Sequence, residues 1–185
     1  MAQIILAIMA SKGGVGKSAL AKMFHKELTR QGYKVNGKDG DTQQHFNAYM
    51  STQPSFDNPD VTIVDTQGAW TSDNESLIHH IKNDNYKIIV PFKPSDEDLK
   101  EALLMAQRLK KMEALNNAVF VVNETYRDFD AEAKSFCDRL RERGLTVSKW
   151  QFQDLRAIQR GQNTGKAQKQ VQRFLHEQGI THARY

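Results

Sequence analysis

An apolar run of ten residues, MAQIILAIMA, leads straight into Ser11-Lys12-Gly13-Gly14-Val15-Gly16-Lys17-Ser18, and no other feature restricts the fold as much. The unbroken Ile/Leu character of Gln3–Met9 predicts a strand buried on both faces, which needs helices above and below the sheet. From Lys17 to about Gln31, Leu20, Met23, Phe24 and Leu28 fall on one face of a helix, and Gly32 is its stop. Glycines between such a strand and such a helix let backbone N–H groups turn toward an anion, and the helix N-terminus adds partial positive charge. Gly13, Gly14, Val15, Gly16, Lys17, Ser18 and Ala19 therefore read as a phosphate-binding loop. Lys17 reaches the β- and γ-phosphates, and Ser18 offers its hydroxyl to Mg²⁺. A strict Gly-x-x-x-x-Gly-Lys-Ser/Thr pattern would need glycine where Ser11 stands. A phosphate loop also needs only one lysine, and this one has a second, Lys12.

The rest of the chain alternates in the same way. Tyr33–Asn36, Val61–Val64, Lys87–Val90, Ala118–Val122 and Leu145–Lys149 are the further strand candidates. Helices are predicted after Ser95, which with Asp98 forms a capping-box pattern, around Ala133–Leu140, and from about Thr164 to Gln178 with Val171, Phe174 and Leu175 inward. Ser51–Asp60 holds two of the four prolines and reads as a surface loop. Strand–helix alternation predicts an α/β fold, a mostly parallel twisted sheet with helices on both faces. At 185 residues the expectation is a single domain, 1–185.

Three acidic sites follow the loop in order. Asp39-Gly40-Asp41-Thr42-Gln43 comes after the second strand, and Asp65-Thr66-Gln67-Gly68 closes the run Val61–Val64. With Lys12 before the first glycine, this pattern resembles the ParA/MinD superfamily of deviant Walker A ATPases, which have the P-loop NTPase fold. The resemblance covers Gln3 to about Gly165. It implies ATP and Mg²⁺ as cofactors and weak, partner-stimulated ATP hydrolysis. Lys12 would reach in trans to the partner's phosphates in an ATP-bound homodimer. Asp41 would orient the attacking water, Asp39 would support the metal shell, and Asp65 would hold Mg²⁺ through water. Gly68 would turn its N–H to the γ-phosphate, and Asn123 would contact adenine. Thr42 stands where the family has proline, and Gln67-Gly68-Ala69-Trp70 lacks the prolines usual after the Asp65 position. Asn123-Glu124-Thr125-Tyr126 lacks the lysine and aspartate of a guanine-reading Asn-Lys-x-Asp, which favours ATP over GTP. Closure over the base is expected from Gln153–Gly165.

The resemblance further implies ATP-dependent dimerisation, non-specific DNA binding by the dimer, release on hydrolysis, and a DNA-binding adaptor protein, serving plasmid or chromosome partition. An accessory role in conjugative DNA transfer stands beside it. The net charge of +4, with ten Lys/Arg against three Asp/Glu from Arg139 to Tyr185, fits either a phosphate-binding face or an ordinary solvated surface. A MinD-like membrane switch needs a bulky apolar helix face, and Lys169–Gly179 offers only Val171, Phe174 and Leu175, so no stable membrane association is expected. A small-molecule kinase or ligase of related fold would not need Lys12. The single cysteine, Cys137, excludes an internal disulfide and suits a cytoplasmic chain, nucleoid-associated when DNA-bound. His79-His80 lacks metal-ligand spacing. His45, Phe46 and Tyr49 are expected to pack a short helix, and Trp70 is either a core anchor or an exposed switch residue.

Overall fold

The computed structural model describes residues 3–41, 44–82, 84–125, 130–153 and 165–181. Five strands, β1 (Ile4–Ile8), β2 (Val35–Asp39), β3 (Val61–Asp65), β4 (Asn85–Phe92) and β5 (Ala118–Val122), form one parallel sheet in the order β2-β3-β1-β4-β5. The helices are α1 (Lys17–Arg30), α2 (His45–Met50), α3 (Ser72–Ile81), α4 (Asp96–Lys111), α5 (Ala131–Arg141) and α6 (Gly165–Glu177).

Strand alternation sorts the core into two layers. Leu6 and Ile8 of β1, with Val61, Ile63, Ile89, Val119 and Val121, meet Leu20, Phe24 and Leu28 of α1, Phe46 of α2 and Val171 and Phe174 of α6. Ala7 and Met9, with Ile88, Val90, Phe92, Phe120 and Val122, meet Ile78 of α3, Leu99 and Met105 of α4 and Phe136 and Leu140 of α5. The central strands thus lack a polar face, which is why they read as unbroken apolar runs.

Two strand expectations shift. The second strand is Val35–Asp39 rather than Tyr33–Asn36, because its register on β3 is set by Val35↔Val61 and Asp39↔Asp65. Its sequence, VNGKD, is that of a polar sheet edge. Leu145–Lys149 supplies only one parallel bridge, Phe120↔Val147, through Phe120 N to Thr146 O and Ser148 N to Phe120 O, each 2.9 Å. Glu177 of α6 then takes the next polar groups: Ser148 Oγ donates to it at 2.7 Å and the Lys149 amide at 3.0 Å. The chain rejoins the sheet edge at Phe152, whose amide donates to Val122 O at 2.9 Å and whose carbonyl accepts from the Thr125 amide at 3.0 Å.

Ser95 caps α4, its hydroxyl accepting from the Asp98 amide at 3.1 Å. The capping box has only this arm. The Ser95 amide donates to Lys93 O instead, and the Asp98 carboxylate faces elsewhere, as described below.

Candidate functional site

The order β3-β1-β4 places β1 where successive connections diverge to opposite sides, and in open α/β sheets ligands bind outside the carboxyl ends of the strands at such a point. The loop 11–16 leaves β1 there. Gly14 at φ 74° and Gly16 at φ 88° occupy the left-handed region that favours glycine. A side chain at Gly16 is also blocked by Asn123, whose Nδ2 would lie 2.2 Å from its Cβ. That amide donates to Val15 O at 2.8 Å, so fully buried Asn123 braces the loop from just past β5. Its Oδ1 has no partner among the described residues.

A cavity of about 700 Å³ opens over the loop, lined by Gly13, Gly14, Gly16, Lys17, Ser18, Ala19, Lys22, Asp41, His45, Gln67, Gly68, Ala69 and Glu124. Its size is within the range of small-molecule sites. Lys17 is buried, and desolvation lowers its pKa, opposed by the charges of Asp65 and Asp41. The carboxylates offset only part of the cost of burying the ammonium.

Asp65 lies at the end of β3, level with Ile8 and Asp39 on its two neighbours. It is fully buried, and neither carboxyl oxygen has a well-formed hydrogen bond among the described residues. Burial pushes its pKa up to about 6, with the Ser18 hydroxyl and the Lys17 ammonium opposing and Asp39 and Asp41 adding to the rise. An orphaned carboxylate facing a serine hydroxyl fits a hydrated divalent cation. Asp39 is engaged differently. Its Oδ1 accepts from the Asp41 amide at 2.8 Å, and its Oδ2 from Phe46 at 2.9 Å and Asn47 at 2.8 Å. It holds Asp41 at the cavity and ties the start of α2. Among the described lining residues, Asp39 does not appear.

Gly68 touches the loop from the β3 side. A Cβ there would lie 2.7 Å from Gly13 Cα and 2.9 Å from Gly13 N, so only glycine permits this approach. Thr66 anchors the same segment, its Oγ1 donating to Ile8 O at 2.9 Å. Trp70 is half-buried at the edge of the second core layer. Its Nε1 donates to Glu75 at 2.7 Å, and the Arg108 guanidinium lies 5.6 Å from its ring. Trp70 is thus neither fully buried as a core anchor nor fully exposed.

Lys12 points away from the cavity, toward α4. Its Nζ is 3.1 Å from Glu97 Oε1 and 3.2 Å from Asp98 Oδ1. The second contact is an ion contact outside good hydrogen-bond geometry, since Asp98 Oδ1 has no directed donor among the described residues. Both carboxylates hold the Lys12 pKa above its ordinary value, Glu97 most.

Lys22, His45 and Glu124 also line the cavity, with no role at the site given to them by the sequence reading. Lys22 follows Ser18 by four and shares its helix face, a signal the sequence carried. His45 is exposed at the cavity rim rather than packing α2, where Phe46 is buried and Tyr49 half-buried. Glu124 sits at φ 61° and pairs with Lys93 at 2.7 Å.

The basic residues divide. Arg139 pairs with Asp96 at 2.8 Å, Arg141 with Asp138 at 2.9 Å and with backbone carbonyls, and Arg143 donates to Arg139 O. On α6, Lys166, Lys169, Arg173 and His176 recur at spacings of three and four and are exposed on one face, with Arg173 stacked 4.9 Å from the Trp150 ring. Thr42, Gln43, Tyr126, Arg156, Arg160 and most of the stretch expected to close over the base lie outside the described residues. Among the described residues no helix is long and apolar enough to cross a membrane.

With this geometry in view, the sequence matches the model of the CobQ/CobB/MinD/ParA nucleotide-binding domain over residues 6–167. The chain belongs to that family. No curated protein sequence matches it. Among solved structures it is similar to the MinD cell division protein of Aquifex aeolicus, with 14% identity, TM-score 0.68 and coverage of 98% of this chain and 99% of that one. It is also similar to a Cyanothece McdA variant in complex with ATP, with 15% identity, TM-score 0.71 and 99% of each chain covered. A plasmid partition protein of Borrelia burgdorferi bound to AMPPNP has 13% identity, TM-score 0.66 and coverage of 96% and 99%. At these identities the likeness shows a shared α/β P-loop fold, and the family is one of nucleotide-binding domains.

Proposed function

We propose that the chain is a ParA-like ATPase whose ATP-bound homodimer binds DNA non-specifically and is reset by hydrolysis, in plasmid or chromosome partition. The observation that carries this reading is the double-lysine glycine loop beneath a nucleotide-sized cavity that Asp41 lines and Asp65 underlies. Backbone N–H groups from Gly13 to Ser18 and the Lys17 ammonium receive the phosphates. Ser18 and Asp65 would hold Mg²⁺, which when bound would neutralise charge on the phosphates. Asp41, held by Asp39, accepts a hydrogen bond from the attacking water and so orients it. Gly68, close against Gly13, would turn its N–H to the γ-phosphate and so sense hydrolysis. Asn123 fixes the loop at Val15 and keeps one acceptor for the base. Lys12 supplies a cation to the partner's phosphates.

The exposed basic stripe of α6 supports DNA rather than a bilayer. The apolar residues of α6, Val171, Phe174 and Leu175, are buried in the core, so the helix has no bulky apolar face for lipid. An adaptor protein that stimulates hydrolysis belongs to this reading, as does the alternative of an accessory to conjugative DNA transfer. Sedimentation with duplex DNA, in the presence of a non-hydrolysable ATP analogue or ADP, tests it. DNA binding only with the ATP analogue is expected. Turnover that depends on a metabolite, with no nucleotide-dependent DNA binding, would place the chain among the small-molecule enzymes of the family.

A further inference from the structure

Lys12 is not a free cation waiting at the cavity. It is held by α4, and so is the residue before it: Ser11 Oγ donates to Glu101 Oε2 at 2.7 Å. Glu97 and Glu101 lie four apart on one face of α4, so a single helix face grips two consecutive loop residues. The two ionic arms differ in kind. The Glu97 side chain is 76% exposed and its attraction is screened, whereas that of Asp98 is 4% exposed. Lys12 is the cation that faces the buried Asp98 oxygen, and Asp98 forgoes the second arm of the capping box to face it. Removing Lys12 from this place leaves a buried carboxylate without its counter-charge, which is costly.

We propose that Glu97, Asp98 and Glu101 are positioning residues for Lys12: they hold it in cis and set how readily it leaves to act across a dimer. The proposal rests on the dimeric ATPase reading above. Lys12 is exchanged between two sets of oxygens, the carboxylates of its own α4 and the phosphates of the partner's nucleotide. Only the difference between these sets drives association. A stronger cis grip makes the dimer weaker without touching the phosphate contacts of Lys17.

Two measurements on Glu97→Gln and Asp98→Asn separate the claims. The first is the rate of Lys12 acylation by an amine-reactive reagent in nucleotide-free monomer, read by mass spectrometry. Release from the carboxylates raises the neutral-amine fraction, so both variants should label several-fold faster, and unchanged rates overturn the grip. The second is the dimer dissociation constant with a non-hydrolysable ATP analogue, by sedimentation. Asp98→Asn should lower it about fivefold and Glu97→Gln about twofold, within the span of ordinary coupling and of exposed ion pairs. Faster labelling with an unchanged or weaker dimer would overturn the positioning role while leaving the dimeric reading standing. A wild-type chain that never dimerises with the analogue removes the dimeric reading itself, and the positioning role with it. Glu97→Gln alters an exposed side chain, so it keeps the test decisive if Asp98→Asn fails to fold.

Discussion

At the scale of single residues, the site is defined by contacts that admit one side chain only. Gly68→Ala places a methyl group 2.7 Å from Gly13 Cα, and backbone on both sides must give way. Overpacking of this kind costs about 1–3 kcal/mol. Titration with a fluorescent ATP analogue should show at least a tenfold loss of affinity, with a small fall in Tm. Lys17→Ala removes the main side-chain cation of the loop and should abolish binding in the same titration. Asp41→Ala should keep binding and nearly stop phosphate release, since Asp41 is exposed enough at the cavity to meet water but is not part of the phosphate cradle. His25 reports on a different link. It is buried in α1, its Nδ1 2.9 Å from the Tyr49 hydroxyl of α2. Burial, and then the charge of Lys26, lower its pKa below 6.5. The neutral ring is therefore the form the fold accepts. Its contribution is present above the ordinary value of 6.5 and is lost as pH falls through the lowered folded value. Urea midpoints from pH 7.5 to 5 should fall more steeply for the wild type than for His25→Gln.

Among the elements, α6 does two jobs that its sequence separates by face. Phe174 stacks on Phe24 of α1 at 5.4 Å and packs at the same distance against Phe152. Phe174→Ala should cost about 3–5 kcal/mol of stability, read by urea unfolding. Reversing Lys166, Lys169 and Arg173 to Glu should cost less stability than Phe174→Ala, the loss of the Arg173 stack on Trp150 included, and weaken DNA binding. The slope of log affinity against log salt should flatten by about one for each phosphate that is no longer neutralised. An unchanged slope would place the DNA surface elsewhere. The helices α1, α4, α5 and α6 were legible because their apolar faces recur at helical spacing. The buried strands were legible because both faces are apolar. The edge strand β2 was misplaced because VNGKD carries no apolar alternation, and only its pairing with β3 fixes its limits. The bridge at Val147 looked like a strand because nothing local announces that Glu177 of α6 captures the next residues. The ordered aspartates Asp39, Asp41 and Asp65 stood out in the sequence from their place after strands. The engagement of Asp39 with α2, and of Lys12 with an acidic helix turn 85 residues away, are products of tertiary contact and left no local signal.

For the whole molecule, the fold brings the glycine loop, the buried Asp65 carboxylate and Gly68 to one end of a parallel sheet. It leaves the second lysine tied to the outside of that end. In the monomer this lysine faces the carboxylates of α4, and a sandwich of two triphosphates would give it a second set of oxygens to meet. Two like charges facing each other in a partly dry interface cost several kcal/mol by the Coulomb estimate of about 332/(ε·r), unless cations intervene. The most direct measurement is sedimentation of wild type and Lys12→Ala with a non-hydrolysable ATP analogue, beside the analogue's affinity for each monomer. The account predicts a wild-type dimer, a Lys12→Ala chain that stays monomeric, and equal monomer affinities, because Lys17, Ser18 and the loop amides are intact. A Lys12→Ala chain that dimerises as well as the wild type would contradict it.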